Sequence, residues 1–253
     1  MRRLCVIGHP IAHSLSPRIH NAFYAALGIP AHYGALAVPK GGVARFLAGD
    51  AARYDGFNAT MPHKEALAAL LGAAEVSVNT AFRRDGGWKA VSTDGDGLLD
   101  ALSRAGFSAN GARVLVLGAG GAAIAMQTAL KAHGAAQVSL ASRSGTPPLE
   151  GSALPTDIDL LINATPLGMA GFPEGFPGYE GYIDHLSKQA LVMDTIYAPR
   201  TTPLLAAARA SGLQTMNGLP MLLGQAARSH AVWFGTMPPE DLVYEVLSSL
   251  EET

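Results

Sequence analysis

The sequence has very little cysteine and little charge. Cys5 is the single cysteine among 253 residues, so an intrachain disulfide and a zinc finger are excluded and a reducing compartment, the cytoplasm, is expected. Charged residues make up 15% of the chain and hydrophobic residues 49%, which excludes a disordered chain. The formal net charge of −2 lacks the basic excess that nucleic acid or an anionic membrane requires. We therefore expect no partner of either kind.

Long apolar runs are also missing. Residues 114–130 carry no charge, but glycine and alanine dominate the centre of this stretch, which is too poor in leucine and isoleucine to insert into a membrane. At the N-terminus, His9 and Pro10 end an apolar run before it reaches the length of a signal peptide. A membrane span and a signal peptide are therefore not predicted.

The length favours two domains, and the order of predicted elements supports them. Short apolar strands alternate with helices in both halves of the chain, and this alternation predicts parallel sheets covered by helices. The expected strands are 4–7, 32–38, 56–60, 76–80, a hairpin over 81–91, 113–117, 137–141, 159–163 and 190–195. Ser16 is the predicted N-cap of a helix that has Pro17 at its first position. The predicted fold is α/β: an N-terminal α/β domain (1–97), a Rossmann-type doubly wound parallel sheet (98–219), and C-terminal helices (220–253) returning to the first domain.

A glycine-rich turn follows the predicted strand 113–117 and opens a helix. It reads Gly118-Ala119-Gly120-Gly121-Ala122-Ala123, close to the dinucleotide fingerprint. The first glycine permits a tight turn, the second leaves room for a pyrophosphate, and the small third residue lets helix and strand pack closely. The pattern predicts cofactor binding; the alternative is a turn that is only closely packed.

The end of the next strand indicates which cofactor. An NAD site usually carries a carboxylate here, whereas this strand ends in Ser142-Arg143-Ser144. A guanidinium flanked by hydroxyls suits a phosphate, which favours NADP. The alternative is an ordinary solvated arginine.

Lys64 and Asp94 are the candidate catalytic pair. Lys64 follows Pro62 near the predicted start of a helix, where the helix dipole disfavours a positive charge and favours proton release. Asp94 is its expected counter-charge. The alternatives are a solvated lysine and an aspartate that caps the next helix. A metal site is not expected, because His9 and His13 have no neighbouring carboxylate or thiol in the sequence.

Ordered segments spread over nearly the whole chain resemble the motifs of the shikimate dehydrogenase family. Ser14-Leu15-Ser16-Pro17 is similar to its substrate loop, and Asn58-Ala59-Thr60-Met61-Pro62-His63-Lys64 is similar to its Asn-Val-Thr-x-Pro-x-Lys motif. Further similar segments are 77–80, 93–95, 118–122, 163–169, 194–199 and 218–226. The chain departs from the family at Ser92, where Asn is usual, and in the short segment 145–157.

The resemblance implies NADP-linked reduction of 3-dehydroshikimate to shikimate, a step of aromatic amino-acid biosynthesis, with no metal. It implies that Lys64 transfers the proton and that the substrate carboxylate binds Ser14, Ser16 and Tyr197. The residues implied for the ring hydroxyls are Thr60, Asn79, Asp94 and Gln225. The residues implied for the cofactor, besides the glycine-rich turn and 142–144, are Thr165 and Gly218. A monomer or homodimer is expected. The alternatives are a dehydrogenase of quinate or an amino-shikimate, and a non-catalytic NADP(H) sensor.

Overall fold

The computed structural model describes residues 1–142, 156–173, 179–184 and 186–251. The chain divides into two compact units. Unit 1 comprises Met1–Gly97 together with Leu222–Thr253, and unit 2 comprises Leu98–Met221. The expected boundaries, 97/98 and 219/220, lie at these divisions or two residues from them.

Unit 1 is built on a five-stranded sheet in the order β2-β1-β3-β4-β5. Its strands are β1 (Arg2–Gly8), β2 (Ala31–Ala37), β3 (Gly56–Ala59), β4 (Thr80–Arg84) and β5 (Gly87–Val91). Its helices are α1 (Ser16–Ala26), α2 (Val43–Ala48), α3 (Lys64–Leu71), the start of α4 (Asp94–Arg104), most of α8 (Leu219–Phe234) and α9 (Glu240–Glu251). A 3₁₀ turn covers Asp50–Arg53. Strands β2, β1 and β3 are parallel, whereas β4 and β5 form an antiparallel hairpin beside β3.

The local sequence explains most of these elements. Leu4 and Ile7 are buried because β1 lies between β2 and β3 in the sheet and has one apolar cluster on each face. The hairpin turns at Asp85 and Gly86, which both have positive φ (52° and 76°), as a two-residue turn of this kind requires.

Two sequence predictions in unit 1 were wrong in detail. Helix α1 has Leu15 as its N-cap and begins at Ser16, whose own N–H donates to the Ser14 hydroxyl (3.3 Å). Ser16 is therefore the first helical residue and not the cap. The predicted strand 76–80 is a loop up to Asn79, and β4 starts at Thr80, because pairing with β3 begins only at Thr80 opposite Asn58.

Unit 2 is built on a parallel five-stranded sheet in the order β10-β9-β8-β6-β7. Its strands are β6 (Arg113–Leu117), β7 (Gln137–Ala141), β8 (Ile158–Asn163), β9 (Leu186–Asp194) and β10 (Gln214–Met216). Its helices are α5 (Gly121–Ala132), α6 (Tyr179–Ile183) and α7 (Pro203–Ala210), with the remainder of α4 and the start of α8. Apolar clusters cover both faces of the sheet. The predicted doubly wound parallel sheet is confirmed.

The strand order of unit 2 reverses between β6 and β8. From β6 the chain goes first to β7 on one side and then to β8 on the other. Open α/β sheets bind ligands outside the carboxyl ends of the strands at such a switch point. The loops that follow β6 and β8 are the glycine-rich turn and residues 164–168, so both lie at this position.

Candidate active site

The topology of unit 1 brings the predicted catalytic residues to one edge of its sheet. Strands β1 and β3 are parallel, and β5 runs in the same direction because two antiparallel pairings separate it from β3. Their carboxyl ends therefore meet at the edge where β4 begins. The loops after β1 and β3 are joined there, because the N–H of His9 donates to the carbonyl of Met61 (3.2 Å).

Lys64 and Asp94 form a close ion pair at this edge. The Lys64 ammonium lies 2.9 Å from Oδ1 and 2.7 Å from Oδ2 of Asp94. Asp94 is buried, whereas the Lys64 side chain is 21% exposed. A buried carboxylate needs a cation or several donors, and here the ammonium meets that need. The two short contacts thereby fix the direction of the ammonium nitrogen.

The local structure around His63 places Lys64. Lys64 is the first residue of α3, and His63 is the N-cap. A ring nitrogen of the buried His63, Nε2, lies 2.7 Å from the Val38 carbonyl. Because a carbonyl only accepts, this nitrogen carries the hydrogen. The bond ties the start of α3 to the residue that follows β2.

Asn79 and Gln225 extend the ion pair into a polar cluster. The Asn79 amide nitrogen donates to Asp94 Oδ1 and to Gln225 Oε1, each at 3.0 Å. Gln225 reaches this position because α4 and α8 touch at glycines. A Cβ on Gly97 would lie 2.6 Å from the Gln225 nitrogen, and one on Gly224 would lie 2.7 Å from the Gly97 carbonyl oxygen. The two missing side chains therefore permit the approach that brings Gln225 to the cluster.

A second layer of hydrogen bonds lies behind Asn79, and sequence reasoning gave its members no role. Asn58 accepts from the Tyr33 hydroxyl (2.6 Å) and donates towards Thr80 and Ser229 (3.0 Å each). Asn58 and Thr80 lie within segments that resemble the family motifs, so their positions could have indicated a role in the site. For Ser229 the only sequence signal was its position one helical turn after Gln225. Its hydroxyl contacts the Gln225 carbonyl at 2.8 Å.

The remaining predicted substrate residues of unit 1 lie in the two joined loops. Ser14 and Ser16 are half-buried at the start of α1 and contact each other through the Ser14 hydroxyl. Thr60 follows β3, its N–H donates to the Ile7 carbonyl (2.9 Å), and its methyl group packs on Gly8. All three side chains are half-buried.

The glycine-rich turn of unit 2 fits a dinucleotide. Gly118 has φ of 124°, and a Cβ there would lie 3.3 Å from the backbone of Ala164. Ala119 and Gly120 are exposed, and a Cβ on Gly120 would meet open space. Helix α5 starts at Gly121 without a side-chain cap, so the N–H groups of its first turn, including that of Ala122, are free of intrahelical partners. Such a helix start suits the pyrophosphate of a dinucleotide.

A buried network shapes the neighbouring loops at the ends of β8 and β9. Asn163 accepts from the Thr165 hydroxyl (2.7 Å) and donates to both oxygens of Asp194 (3.1 Å each). Thr202 also donates to Asp194 (2.7 Å). Burial raises the pKa of the Asp194 carboxyl, and its hydrogen bonds partly oppose that rise. The network thus fixes Thr165 beside the glycine-rich turn.

The other predicted residues of unit 2 lie near these loops or outside the described residues. Tyr197 is half-buried three residues after Asp194, and Gly218 packs so closely on the Thr195 carbonyl that no side chain would fit. Ser142 is half-buried directly after β7. Arg143 and Ser144, the residues expected to favour NADP, lie outside the described residues.

The described residues contain neither a metal-binding cluster nor a membrane-spanning helix. Across 1–142, 156–173, 179–184 and 186–251, no group of three or more His, Cys, Asp or Glu side chains is placed to hold a metal ion. Within the same ranges, every helix is too short or too polar to cross a membrane.

The two units together define a class of protein. A helix start suited to a pyrophosphate and a lysine held by a buried carboxylate are the parts needed by an oxidoreductase that uses a nicotinamide dinucleotide.

Comparisons with known proteins identify the family. Residues 6–81 match the model of the shikimate dehydrogenase substrate binding domain, and residues 218–247 match that of the shikimate 5'-dehydrogenase C-terminal domain. A curated relative from a Geobacter species, named shikimate dehydrogenase (NADP(+)), is 39% identical over 96% of this chain and 93% of its own. The chain belongs to the shikimate dehydrogenase family, as its motifs predicted.

This chain aligns over almost its full length with solved structures of the same fold. Shikimate 5-dehydrogenase of Thermus thermophilus, in complex with NADP(H) and shikimate, is 31% identical with a TM-score of 0.83 and covers 98% of this chain and 99% of its own. The 5-ketofructose reductase of a Gluconobacter strain is 29% identical with a TM-score of 0.80 and covers 98% of each chain. The same fold therefore carries reductases that are named for different substrates.

Proposed function

We propose that the protein is an NADP-dependent shikimate dehydrogenase that reversibly reduces 3-dehydroshikimate to shikimate in aromatic amino-acid biosynthesis. The observation that carries the proposal is the Lys64–Asp94 ion pair, joined through Asn79 to Gln225. It lies in a chain that is 39% identical to a shikimate dehydrogenase (NADP(+)) over almost its full length.

Lys64 moves the proton in this account. When bound, NADPH supplies the hydride that reduces the ring carbonyl carbon. Negative charge then develops on the carbonyl oxygen, and the Lys64 ammonium both stabilises that charge and donates a proton to it. The product is the alcohol, and the resulting neutral amine regains a proton from solvent before the next turnover. In the reverse direction the neutral amine accepts the hydroxyl proton.

Asp94 and its neighbours hold the substrate and the lysine. The Asp94 carboxylate orients the ammonium and offers an acceptor to a ring hydroxyl, while the Asn79 and Gln225 amides and the Thr60 hydroxyl supply further polar contacts. The donors for the substrate carboxylate are Ser14, Ser16 and Tyr197. A small polyol acid requires several short polar side chains of this kind, because each hydroxyl that loses water needs a new partner.

The cofactor contacts belong to unit 2. In the turn 118–122, the backbone N–H groups of residues 119–122 would bind the pyrophosphate, since the N–H of Gly118 already donates to the Ala141 carbonyl (2.7 Å). Thr165 and Gly218 would make further contacts with the cofactor. The 2′-phosphate would be bound by Ser142, Arg143 and Ser144. Residues 1–97 and 220–253 thus form the substrate domain, and 98–219 form the dinucleotide domain. The proposed setting is the cytoplasm, as a monomer or homodimer without nucleic-acid or membrane partners.

A purified assay tests the function. NADP⁺ reduction is followed with shikimate, with quinate and with shikimate plus NAD⁺ in place of NADP⁺. We expect the highest kcat/KM for shikimate with NADP⁺. A higher kcat/KM for quinate would replace the proposed substrate with the alternative one. Tight NADPH binding without turnover of either acid would contradict an enzyme and favour a sensor.

A further inference from the structure

The Asn79 carboxamide is bonded at both ends while almost fully buried. Its oxygen accepts from the Thr93 N–H (2.9 Å), the Thr80 hydroxyl (2.9 Å) and the Thr93 hydroxyl (3.1 Å). Its nitrogen donates to Asp94 and Gln225. Two of these partners have no choice of role, because a backbone N–H only donates and a carboxylate only accepts. The amide therefore has one satisfied orientation.

A rotated Asn79 amide would be costly. It would turn its oxygen towards the Asp94 carboxylate and its NH₂ group towards the Thr93 N–H. Both contacts would be repulsive in a site where Asn79 is only 2% exposed. The orientation of Asn79 therefore decides whether Asp94 keeps a donor on the oxygen that it shares with Lys64.

The direction of the Thr80 hydroxyl follows from its neighbours. The Ser229 hydroxyl donates to the Gln225 carbonyl (2.8 Å). The Asn58 NH₂ group shares its two hydrogens among the Asn79 backbone carbonyl (2.9 Å) and the hydroxyl oxygens of Thr80 and Ser229 (3.0 Å each). Ser229 lies 2.8 Å from Thr80 and offers it only an oxygen, because the hydrogen of Ser229 is already used. The carboxamide oxygen of Asn79 is the stronger acceptor open to the Thr80 hydrogen, so Thr80 donates to Asn79.

We propose that Thr80 is a positioning residue of this enzyme, supported by Ser229. Its hydroxyl fixes the Asn79 carboxamide, and Asn79 in turn holds Asp94 in the orientation that directs the Lys64 ammonium. Thr80 itself is fully buried and acts only through Asn79. The inference rests on the proposed function, because its effect is measured on shikimate turnover.

A double-mutant cycle tests this role. Thr80→Val removes the hydroxyl at nearly constant shape, and Thr80→Ser keeps it. We expect Thr80→Val to lower kcat/KM for shikimate about tenfold, the equivalent of about 1.4 kcal/mol, and Thr80→Ser to stay within about threefold. In an Asn79→Ala background, Thr80→Val should change kcat/KM by less than about twofold. The KM for NADP⁺ should not change in any variant.

Ser77→Ala is the matched control. Ser77 is buried two residues before Asn79, and its hydroxyl has no hydrogen-bond partner among the described residues. Its loss should leave kcat/KM within about twofold. If Thr80→Val does not fold, Ser229→Ala takes its place in the same cycle, with the same dependence on Asn79 expected.

Three outcomes would overturn the proposal. Wild-type kcat/KM in Thr80→Val would remove the hydroxyl from the mechanism. An equal loss with and without the Asn79 side chain would mean a general structural role. Absence of shikimate turnover by the wild-type protein would reject the proposed function and this inference with it, whereas an active wild type with an additive cycle rejects the inference alone.

Discussion

Two buried histidines predict that unit 1 loses stability in mild acid. His20 and His230 are each 1% exposed. His20 stacks on Tyr33 with ring centroids 4.2 Å apart, and His230 packs on Phe234 at 4.7 Å. Burial lowers the pKa of His20 to about 3 and that of His230 to about 4, and the charge of His230 adds to the effect on His20.

The direction follows from proton linkage. The unfolded chain binds protons at both histidines below a pKa of about 6.5, whereas the folded chain does so only near 3 to 4. The unfolded state therefore holds more protons in between, and the free energy of unfolding falls as the pH drops below about 6.5. At about pH 5, some 1.5 units below the unfolded pKa, each histidine costs roughly 2 kcal/mol. Both together remove up to about 4 kcal/mol, a large part of the 5–15 kcal/mol typical of folded proteins.

Urea unfolding at about pH 7.5 and about pH 5 measures the effect. Trp88 and Trp233, the two tryptophans of the chain, both belong to unit 1, so their fluorescence reports on that unit. His230→Gln should reduce the pH-dependent loss by roughly 2 kcal/mol. His32→Gln, at an exposed position, should leave it unchanged. An identical pH dependence in His230→Gln and wild type would refute the reasoning.

Three further predictions concern single residues of the site. Gly97→Ala places a Cβ against the Gln225 backbone and should raise the KM for shikimate about tenfold. The control is Gly34→Ala, whose Cβ meets open space and should leave this KM unchanged. Equal KM values in the two variants would contradict the close approach of Gly97 to Gln225. Arg143→Ala should raise the KM for NADPH at least tenfold more than that for NADH, since the guanidinium is expected to pair with the 2′-phosphate; equal changes would exclude that role. Ser14→Ala should raise the KM for shikimate roughly tenfold with little change in kcat, and an unchanged KM would count against binding of the carboxylate.

Regular strands and helices of the fold were predictable where their pattern is local. The bounds of β6 and β7 were predicted to the residue. Strand β6 contains the uninterrupted apolar run 114–117 and ends before Gly118, and β7 ends before the polar Ser142. Helix α2 was missed because six residues are too few to show a helical period. Helix α7 was missed although Thr202 and Pro203 carry a usable start signal, and Thr202 does accept from the Leu205 N–H (3.4 Å).

In the candidate site, too, some contacts were predictable from the sequence and others were not. The Lys64–Asp94 pairing was predictable, since a proton-transferring lysine needs a nearby counter-charge. The layer behind Asn79 was not, because Asn58 and Ser229 are 171 residues apart in the chain and their contact depends on how α8 packs on the sheet. Local sequence patterns do not reveal a contact between residues so far apart in the chain. This contact is determined by the topology of the sheet and by the close approach of Gly97 and Gly224.

The kcat of Lys64→Ala with shikimate and NADP⁺ tests the central claim most directly. If Lys64 is the group that moves the proton, kcat should fall by roughly 10²–10⁴ while the dissociation constant of shikimate changes little. A kcat near that of the wild type would show that the proton takes another route and would contradict the account.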